Sequence, residues 1–199
     1  MTDETLTPER ILETAEEVLR RYGLSKTTVV DVARALRVSH GSIYRHFPSK
    51  AALQDAIAER WLARKSLPLI AIANEDGPAT ERLRRWLNLL SSTTRKNVLD
   101  DPELFATHKE LANSARNVVR THLDHLVEQI TYIIRDGIAQ GEFATDDPVV
   151  TARAVFAATT LFHDPAHVAA WSDPDLDATF DGVWSLILAG LSPRDIPHA

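Results

Sequence analysis

Apolar and polar residues recur along this chain with the spacing of α-helices. Near the start, Ile11, Ala15 and Val18 lie three or four positions apart, which places them on one side of a helix. No stretch alternates apolar and polar residues with the period of two that is typical of a strand. The pattern therefore predicts an all-α fold of about nine helices.

Capping residues, glycines and prolines divide this pattern into segments. Thr7 and Pro8 open the first helix and Gly23 closes it, because a hydroxyl caps free amides and glycine accepts a left-handed conformation. A helix over 49–67 is expected to end or kink at Pro68. Residues 74–78 indicate a linker. Further helices are predicted over 79–98, over 104–139 with a break near 113–114, and over 149–162 and 176–191.

Two short helices joined by a tight turn are predicted between residues 27 and 47. Thr28 caps the first, with Asp31 three positions later as in a capping box. Ser39 caps the second, whose Ile43 and Phe47 are four apart and share an inward face. Two short helices in this arrangement form a helix-turn-helix, which presents its second helix to the major groove of DNA.

The stretch 27–53, TTVVDVARALRVSHGSIYRHFPSKAAL, closely resembles the DNA-binding signature of the tetracycline-repressor (TetR) family. The matching positions are T-x-x-x-V-A-x-x-L-x-V-S-x-G-S-I-Y-x-H-F-x-S-K-x-x-L. The resemblance implies a three-helix DNA-binding domain over residues 1–48 and a helical ligand-sensing and dimerisation domain over 49–199. The helix from 49 to 67 is then the connector. The implied partners are a double-stranded DNA operator, a second copy of the chain and a small-molecule effector.

Eight residues occupy positions at which members of this family touch DNA. Phosphate contacts are expected from Tyr44, His46 and Lys50, and base-edge contacts from His40, Gly41 and Arg45. The full predicted set is Thr28, His40, Gly41, Ser42, Tyr44, Arg45, His46 and Lys50.

Charge is distributed unevenly along the chain. The formal net charge is −6, yet the segment from Arg20 to Lys50 holds seven basic residues, Lys26 among them, and one acid. A basic segment of this kind alone indicates a solvated face. Because it coincides with the helix-turn-helix, it favours a protein that binds phosphate at one end.

Composition narrows the function classes further. Cysteine is absent, which fits a reducing cytoplasm and excludes thiolate chemistry. The acidic, polar start does not resemble a signal peptide, and no apolar run approaches the length of a membrane span. A cytoplasmic protein without membrane contact is therefore expected. No Gly-rich phosphate loop, G-x-S-x-G or H-E-x-x-H motif appears, so we do not expect an enzyme.

The family resemblance locates a ligand cavity among the helices of residues 79–162. Its expected wall is mostly large and apolar, with two histidines to orient a guest: Trp86, Leu90, Phe105, His108, Leu123, Val127, Phe156, Phe162 and His163. No cofactor is required. An alternative is a divalent metal held by His108, His163 and His167. The histidines are otherwise ordinary polar residues, and a DNA-binding protein without any effector is a further alternative.

The segments 149–162 and 176–191 are more apolar than peripheral helices need to be. Small residues such as Ala154, Ala157 and Ala158 permit close approach. The resemblance implies a homodimer through these last two long helices, and the alternative is an internal core only. The expected function is a repressor that binds a pseudo-palindromic operator as a dimer and is released by an effector.

Overall fold

The computed structural model of this chain describes residues 6–24 and 27–193, so Lys26 lies outside the described residues. These ranges contain helices and no strand, which confirms the all-α prediction. The α-helices are α1 Pro8–Tyr22, α2 Val29–Leu36, α3 His40–Tyr44, α4 Lys50–Ala73, α5 Ala79–Asp100, α6 Pro102–Ser114, α7 Arg116–Ala139, α8 Pro148–Ala158, α9 Thr160–His163 and α10 Leu176–Leu191. A 3₁₀ helix, Pro165–Ser172, lies between α9 and α10.

The predicted start and end of the first helix are confirmed. The Thr7 hydroxyl accepts a hydrogen bond from the Arg10 amide at 3.3 Å. Gly23 ends α1 with a φ of 77°, and its amide donates to the Leu19 carbonyl at 2.9 Å. Glycine suits this position because other residues rarely adopt a positive φ. Short-range signals of this kind depend only on neighbours along the chain, which is why the sequence reveals them.

The first compact unit comprises the described residues up to Arg64 together with Asp101–His122. Its core joins α1, α2, α3, the first half of α4, and α6, through side chains such as Ile11, Ile43, Leu53 and Leu111. This unit is larger than the predicted DNA-binding domain of residues 1–48. The functional boundary between DNA binding and ligand sensing stays a prediction.

Ion pairs fasten α4 to α1 within this unit. The Arg60 guanidinium donates to the Glu13 carboxylate at 3.1 Å. Arg64 contacts both oxygens of Glu16, at 2.8 and 2.9 Å. Two-pronged contacts fix orientation better than single ones, so these pairs orient the first half of α4 against α1.

The second compact unit comprises Lys65–Asp100 and the described residues from Leu123 onward. Its core is built on Trp86 and Leu83 of α5, Ile130 of α7, and Phe162 and Trp184 from the later helices. Each of these side chains is nearly or fully inaccessible to solvent. Several of the residues that the sequence assigns to a ligand cavity, Trp86 and Phe162 first, are therefore packed in this core.

Arg82 ties three segments of the second unit together. Its side chain is buried, and Nη1 donates to the carbonyls of Ala73 at 3.2 Å and Glu75 at 2.8 Å. Its Nη2 also pairs with the Asp136 carboxylate of α7. The end of α4, the loop after it and α7 thus share one buried cation, because a buried charge is tolerated only when it is paired.

Three features differ from the expected helix pattern. α4 does not end at Pro68 but continues to Ala73, so the end predicted for the connector helix at residue 67 is wrong. Pro68 is exposed, so water can bond the Arg64 carbonyl that it deprives of a partner. The segment 149–162 is interrupted at Thr159, whose hydroxyl donates to the carbonyls of Val155 and Phe156. The 3₁₀ helix carries no sequence signal beyond Asp164-Pro165.

None of the helices in the described part of the chain is long and apolar enough to cross a bilayer.

Candidate nucleic-acid interface

The turn between α2 and α3 fixes the direction of the second helix. Arg37 adopts a left-handed conformation with a φ of 57°, and its amide donates to the Arg34 carbonyl at 3.1 Å. The next amide, Val38, donates to Ala33 at 3.0 Å. Ile43 and Phe47 then bury their side chains in the core of the first unit. The helix-turn-helix is therefore rigid on its inner side.

The outer side of α3 carries the predicted DNA-binding residues. His40, Gly41, Tyr44, Arg45 and His46 are all exposed, whereas Ser42 is half-buried. α3 itself ends at Tyr44, and the following residues continue as a turn in which the amides of His46 and Phe47 both donate to Ile43 at 2.9 Å. Polar and aromatic groups at this surface match what a major groove and its phosphates accept.

Hydrogen bonds orient several of these side chains. The Ser39 hydroxyl caps α3 by accepting from the Ser42 amide at 3.2 Å, and the two hydroxyl oxygens lie 2.9 Å apart. Arg45 Nη2 donates to the Ser42 hydroxyl at 3.2 Å. Ser42 thus holds one edge of the Arg45 guanidinium. The His40 and Tyr44 rings meet edge to face with centroids 6.3 Å apart.

Thr28 has a structural task as well as its predicted contact with DNA. Its hydroxyl accepts from the Asp31 amide at 3.2 Å and donates to the Asp31 carboxylate. Arg34 contacts the other oxygen of that carboxylate at 3.2 Å. Thr28 thus caps α2 as predicted, but the Asp31 carboxylate accepts from the Thr28 hydroxyl, whereas in a capping box it would accept from the Thr28 amide.

Lys50 stands at the N-terminus of α4. The Ser49 hydroxyl accepts from the Ala52 amide at 3.0 Å, which makes Ser49 the cap, and Lys50 is exposed. Helix N-termini favour anions because their amides and their dipole both present positive charge. Lys50 adds a full charge to that end, as a phosphate contact requires.

Gly41 lacks an internal reason to be glycine. Its φ is not positive, and a Cβ built there has the Ser39 hydroxyl oxygen as its nearest described neighbour, at 3.7 Å. That distance is ordinary van der Waals contact. The packing of the described chain therefore tolerates a side chain at this position.

The predicted ligand and metal residues occupy several different surroundings. His108 stacks on Trp61 inside the first unit, with ring centroids 4.4 Å apart, and Phe105 lies on the same helix. In the second unit, Phe156 packs against His163 at 4.7 Å, while Leu123 is exposed and Leu90 and Val127 are half-buried. One cavity lined by all nine residues stays a prediction.

Burial has the largest effect on the pKa of His163. It lowers the pKa of the imidazole below its ordinary value, against smaller opposing effects from the Phe156 backbone and Asp164. The Nε2 atom lies 3.4 Å from the Thr159 hydroxyl. Throughout the described residues no three acidic or histidine side chains are grouped to hold a metal ion, so the alternative of a metal at His108, His163 and His167 is not supported.

The second unit also contains a groove of about 300 Å³ that the sequence pattern does not predict. It lies between the end of α4 and the middle of α7, and its lining contains none of the predicted ligand residues: Ile70, Ala73, Asn74, His125, Glu128, Gln129 and Tyr132. The spacing of His125, Glu128 and Tyr132 places them on one side of α7. The sequence does not reveal that α4 continues past Pro68 to form the other wall.

Two models of known protein families match this chain. Residues 11–57 match the family model of bacterial regulatory proteins of the tetR family, and residues 79–184 match the tetracyclin repressor-like C-terminal domain. The nucleoid occlusion factor SlmA of Vibrio atlanticus is 26% identical over 153 residues, which is 73% of this chain and 76% of that protein.

Two further matches differ in how much they cover. The probable acrEF/envCD operon repressor of Escherichia coli K12 is 41% identical over 61 residues, 31% of this chain and 26% of the relative. The structure of SmeT, the repressor of the Stenotrophomonas maltophilia multidrug efflux pump SmeDEF, has a TM-score of 0.62 at 19% identity. The match covers 98% of this chain and 96% of SmeT. With a helix-turn-helix match at one end and a C-terminal match over more than half of its length, the chain belongs to the TetR family of bacterial transcriptional regulators.

Proposed function

We propose that this protein is a dimeric repressor that binds a pseudo-palindromic DNA operator and is released from it by a small-molecule effector. The observation that carries the proposal is the outer face of α3, where exposed polar side chains surround a glycine that the fold does not need. A protein surface of this kind is suited to close contact with the edges of bases.

Roles are assigned to the individual residues on chemical grounds. Arg45, steadied by Ser42, presents a guanidinium that matches the two acceptors of a guanine. Tyr44, His46 and Lys50 are exposed donors suited to phosphate oxygens. His40 lies beside Tyr44 at the start of α3 and reaches a base edge in the proposed complex.

Dimerisation is assigned to α8, α9 and α10. Ala154, Ala157 and Ala158 are exposed on α8. Gly182 and Gly190 lie inside α10, where a Cβ on either has no described atom within 4 Å. Glycine inside a helix costs about 0.5–1 kcal/mol relative to alanine, so its presence on an open face suggests close approach by another molecule. A two-fold dimer also matches a two-fold operator.

The effector site is assigned to the second compact unit. No catalytic role and no required cofactor are proposed. The effector acts by binding one state of the protein more tightly than the other, since a ligand with equal affinity for both shifts nothing. The solved structures of a Saccharomonospora viridis regulator with choline and of Bacillus subtilis FadR with stearoyl-CoA have folds similar to this one, which supports a small organic effector.

Two substitutions test the proposed roles of the DNA contacts. Lys50→Ala should weaken binding to all duplexes about equally and reduce the salt dependence of the binding constant by roughly one charge. Arg45→Ala should instead relax preference at one position per half-site, with a loss of about 1–3 kcal/mol on the preferred base. Fluorescence anisotropy on matched duplexes at several salt concentrations measures both. Equal effects of the two substitutions on every duplex would contradict the assignment.

A further inference from the structure

The groove between α4 and α7 combines an apolar floor with polar edges. Ile70 and Ala73 contribute aliphatic surface from α4, and the ring of Tyr132 stands on α7 with 52% of its surface exposed. Its volume of about 300 Å³ lies at the lower end of the range for small-molecule sites. It therefore suits a compact ligand with an apolar body.

Internal hydrogen bonds determine which polar atoms this groove offers. Asn74 donates one N–H of its side-chain amide to the Ile70 carbonyl at 2.9 Å, which leaves its carbonyl oxygen and its second N–H for a ligand. Gln129 accepts from the indole nitrogen of Trp86 at 2.9 Å, which fixes the Gln129 side chain on a buried neighbour. These two bonds hold the Asn74 and Gln129 side chains in place before any ligand arrives, which reduces the cost of ordering them on binding.

With histidine counted as neutral, the only formal charge in the described lining of the groove is that of Glu128. His125 is the lining's histidine, and among the described residues that line the groove none is lysine or arginine. Asn74 adds an acceptor oxygen, and Tyr132 adds the negative face of an aromatic ring, which attracts cations. A carboxylate ligand would meet the Glu128 carboxylate with no lysine or arginine in the described lining to compensate it, so the lining favours a cation over an anion.

We propose that this groove binds a small organic cation with an apolar body, with its charged group between Glu128 and the Tyr132 ring and its body on Ile70 and Ala73. This assignment rests on the proposed function, because it gives a chemical class to the effector that is assigned to the second compact unit. The same α4 that forms one wall begins at Lys50, among the proposed DNA contacts.

Titration calorimetry on the full-length protein tests this assignment with three probes that share a benzene ring. Benzyltrimethylammonium should bind saturably at one site per chain, whereas benzyl alcohol and phenylacetate should bind at least about tenfold more weakly. Glu128→Gln and Tyr132→Ala should each weaken binding of the cation by about tenfold, and Tyr132→Phe should retain it, because the ring is kept.

The matched control is Asp124→Asn, which removes the same charge one turn earlier on α7 from a residue that does not line the groove. It should leave binding of the cation within about twofold of the unsubstituted protein. Equal loss in Asp124→Asn and Glu128→Gln, or equal binding of the three probes, would overturn the assignment. So would the absence of any binding by benzyltrimethylammonium.

Operator binding of the same preparations, measured without probes, keeps the two proposals separate. Glu128→Gln should bind operator DNA with unchanged affinity, because Glu128 lies outside the proposed DNA contacts. Failure of the unsubstituted protein to bind operator DNA would contradict the proposed function. Normal operator binding without binding of the cation would overturn only the ligand assignment.

Discussion

Gly41 links a single residue to the proposed DNA contact. A Cβ at this position meets the Ser39 hydroxyl at 3.7 Å, which the fold tolerates. Gly41→Ala should therefore leave the free energy of unfolding unchanged or raise it by up to about 1 kcal/mol, because alanine favours a helix. Operator affinity should nevertheless fall by at least about tenfold, since a methyl group separates the backbone from the base.

Urea unfolding and anisotropy on the same samples separate the two effects of Gly41→Ala. A Gly41→Ala variant that is stable and binds the operator normally would contradict the proposed close approach of the α3 backbone to a base. An unfolded variant would contradict the structure of α3 itself.

Residues whose roles depend on near neighbours were the most predictable. The caps Thr7, Thr28 and Ser39 each bond an amide three positions later, and that spacing is visible in the sequence. Arg82 was not predictable, because its partners are two carbonyls and Asp136 on another helix. Its spacing from Ala79 and Trp86 places it at the edge of the apolar face of α5, but the sequence does not reveal its partners.

At the scale of elements, Gly137 governs how α7 packs against the segment that follows it. A Cβ at Gly137 would overlap the Phe143 ring and lie 2.9 Å from the Ala79 Cβ. Gly137→Ala should lower the free energy of unfolding by about 1–3 kcal/mol through overpacking, despite the better helix propensity of alanine. Gly41→Ala is the control, since it makes the same change in another helix without this contact. Similar unfolding midpoints for the two variants would contradict the packing described here.

The start of α5 is capped by a carboxylate from a distant segment. Glu142 accepts from the amides of Ala79 and Thr80, each at 2.9 Å. Burial alone would raise the pKa of this carboxyl, but these hydrogen bonds and nearby Arg82 lower it below its ordinary value. A pKa lower in the folded than in the unfolded state gives stability that is present above the ordinary pKa and is lost as pH falls through the folded pKa.

Unfolding free energy measured between pH 6 and pH 3 tests this cap. In the unsubstituted protein it should decline as the pH falls below the ordinary glutamate pKa of 4.5. Glu142→Gln should be less stable at pH 6 and should lose less stability on acidification, because glutamine has no proton to gain. Parallel pH profiles would show that Glu142 contributes nothing to the decline.

Helix ends that depend on packing against residues distant in the sequence differed from the prediction. Pro68 would end an isolated helix, yet Leu69 and Ile72 on the far side of it pack into the core of the second unit. That burial favours continuation of α4. The same extension creates one wall of the groove, so the wrong helix end and the missed groove have a common cause.

At the scale of the whole molecule, the proposed dimer depends on the open face of α10. Leu186 lies on that helix with 76% of its surface exposed, and Leu99 at the end of α5 is similarly exposed at 78%. Leu186→Asp should shift the protein toward monomer at micromolar concentration, because two-fold symmetry places both new charges in one interface. Leu99→Asp, the matched control, should remain dimeric. Sedimentation velocity distinguishes these outcomes, and a dimeric Leu186→Asp protein would place the interface elsewhere.

The properties of the whole molecule were the least predictable from the local sequence pattern. Helical period predicts the fold class, and the motif from Thr28 to Leu53 identifies the family. Which apolar face meets a partner depends on surfaces that become visible only when the chain is folded, as with Gly182 and Leu186.

Selection from a random duplex pool tests whether two copies of α3 read a symmetric DNA site. The full-length protein should enrich a pseudo-palindrome whose two half-sites lie about one helical turn of DNA, or a multiple of it, apart. Binding should weaken steeply with salt as counterions are released. If no sequence is enriched, or only a single unpaired motif bound by one chain, the proposed recognition of a symmetric site by two copies of α3 is contradicted.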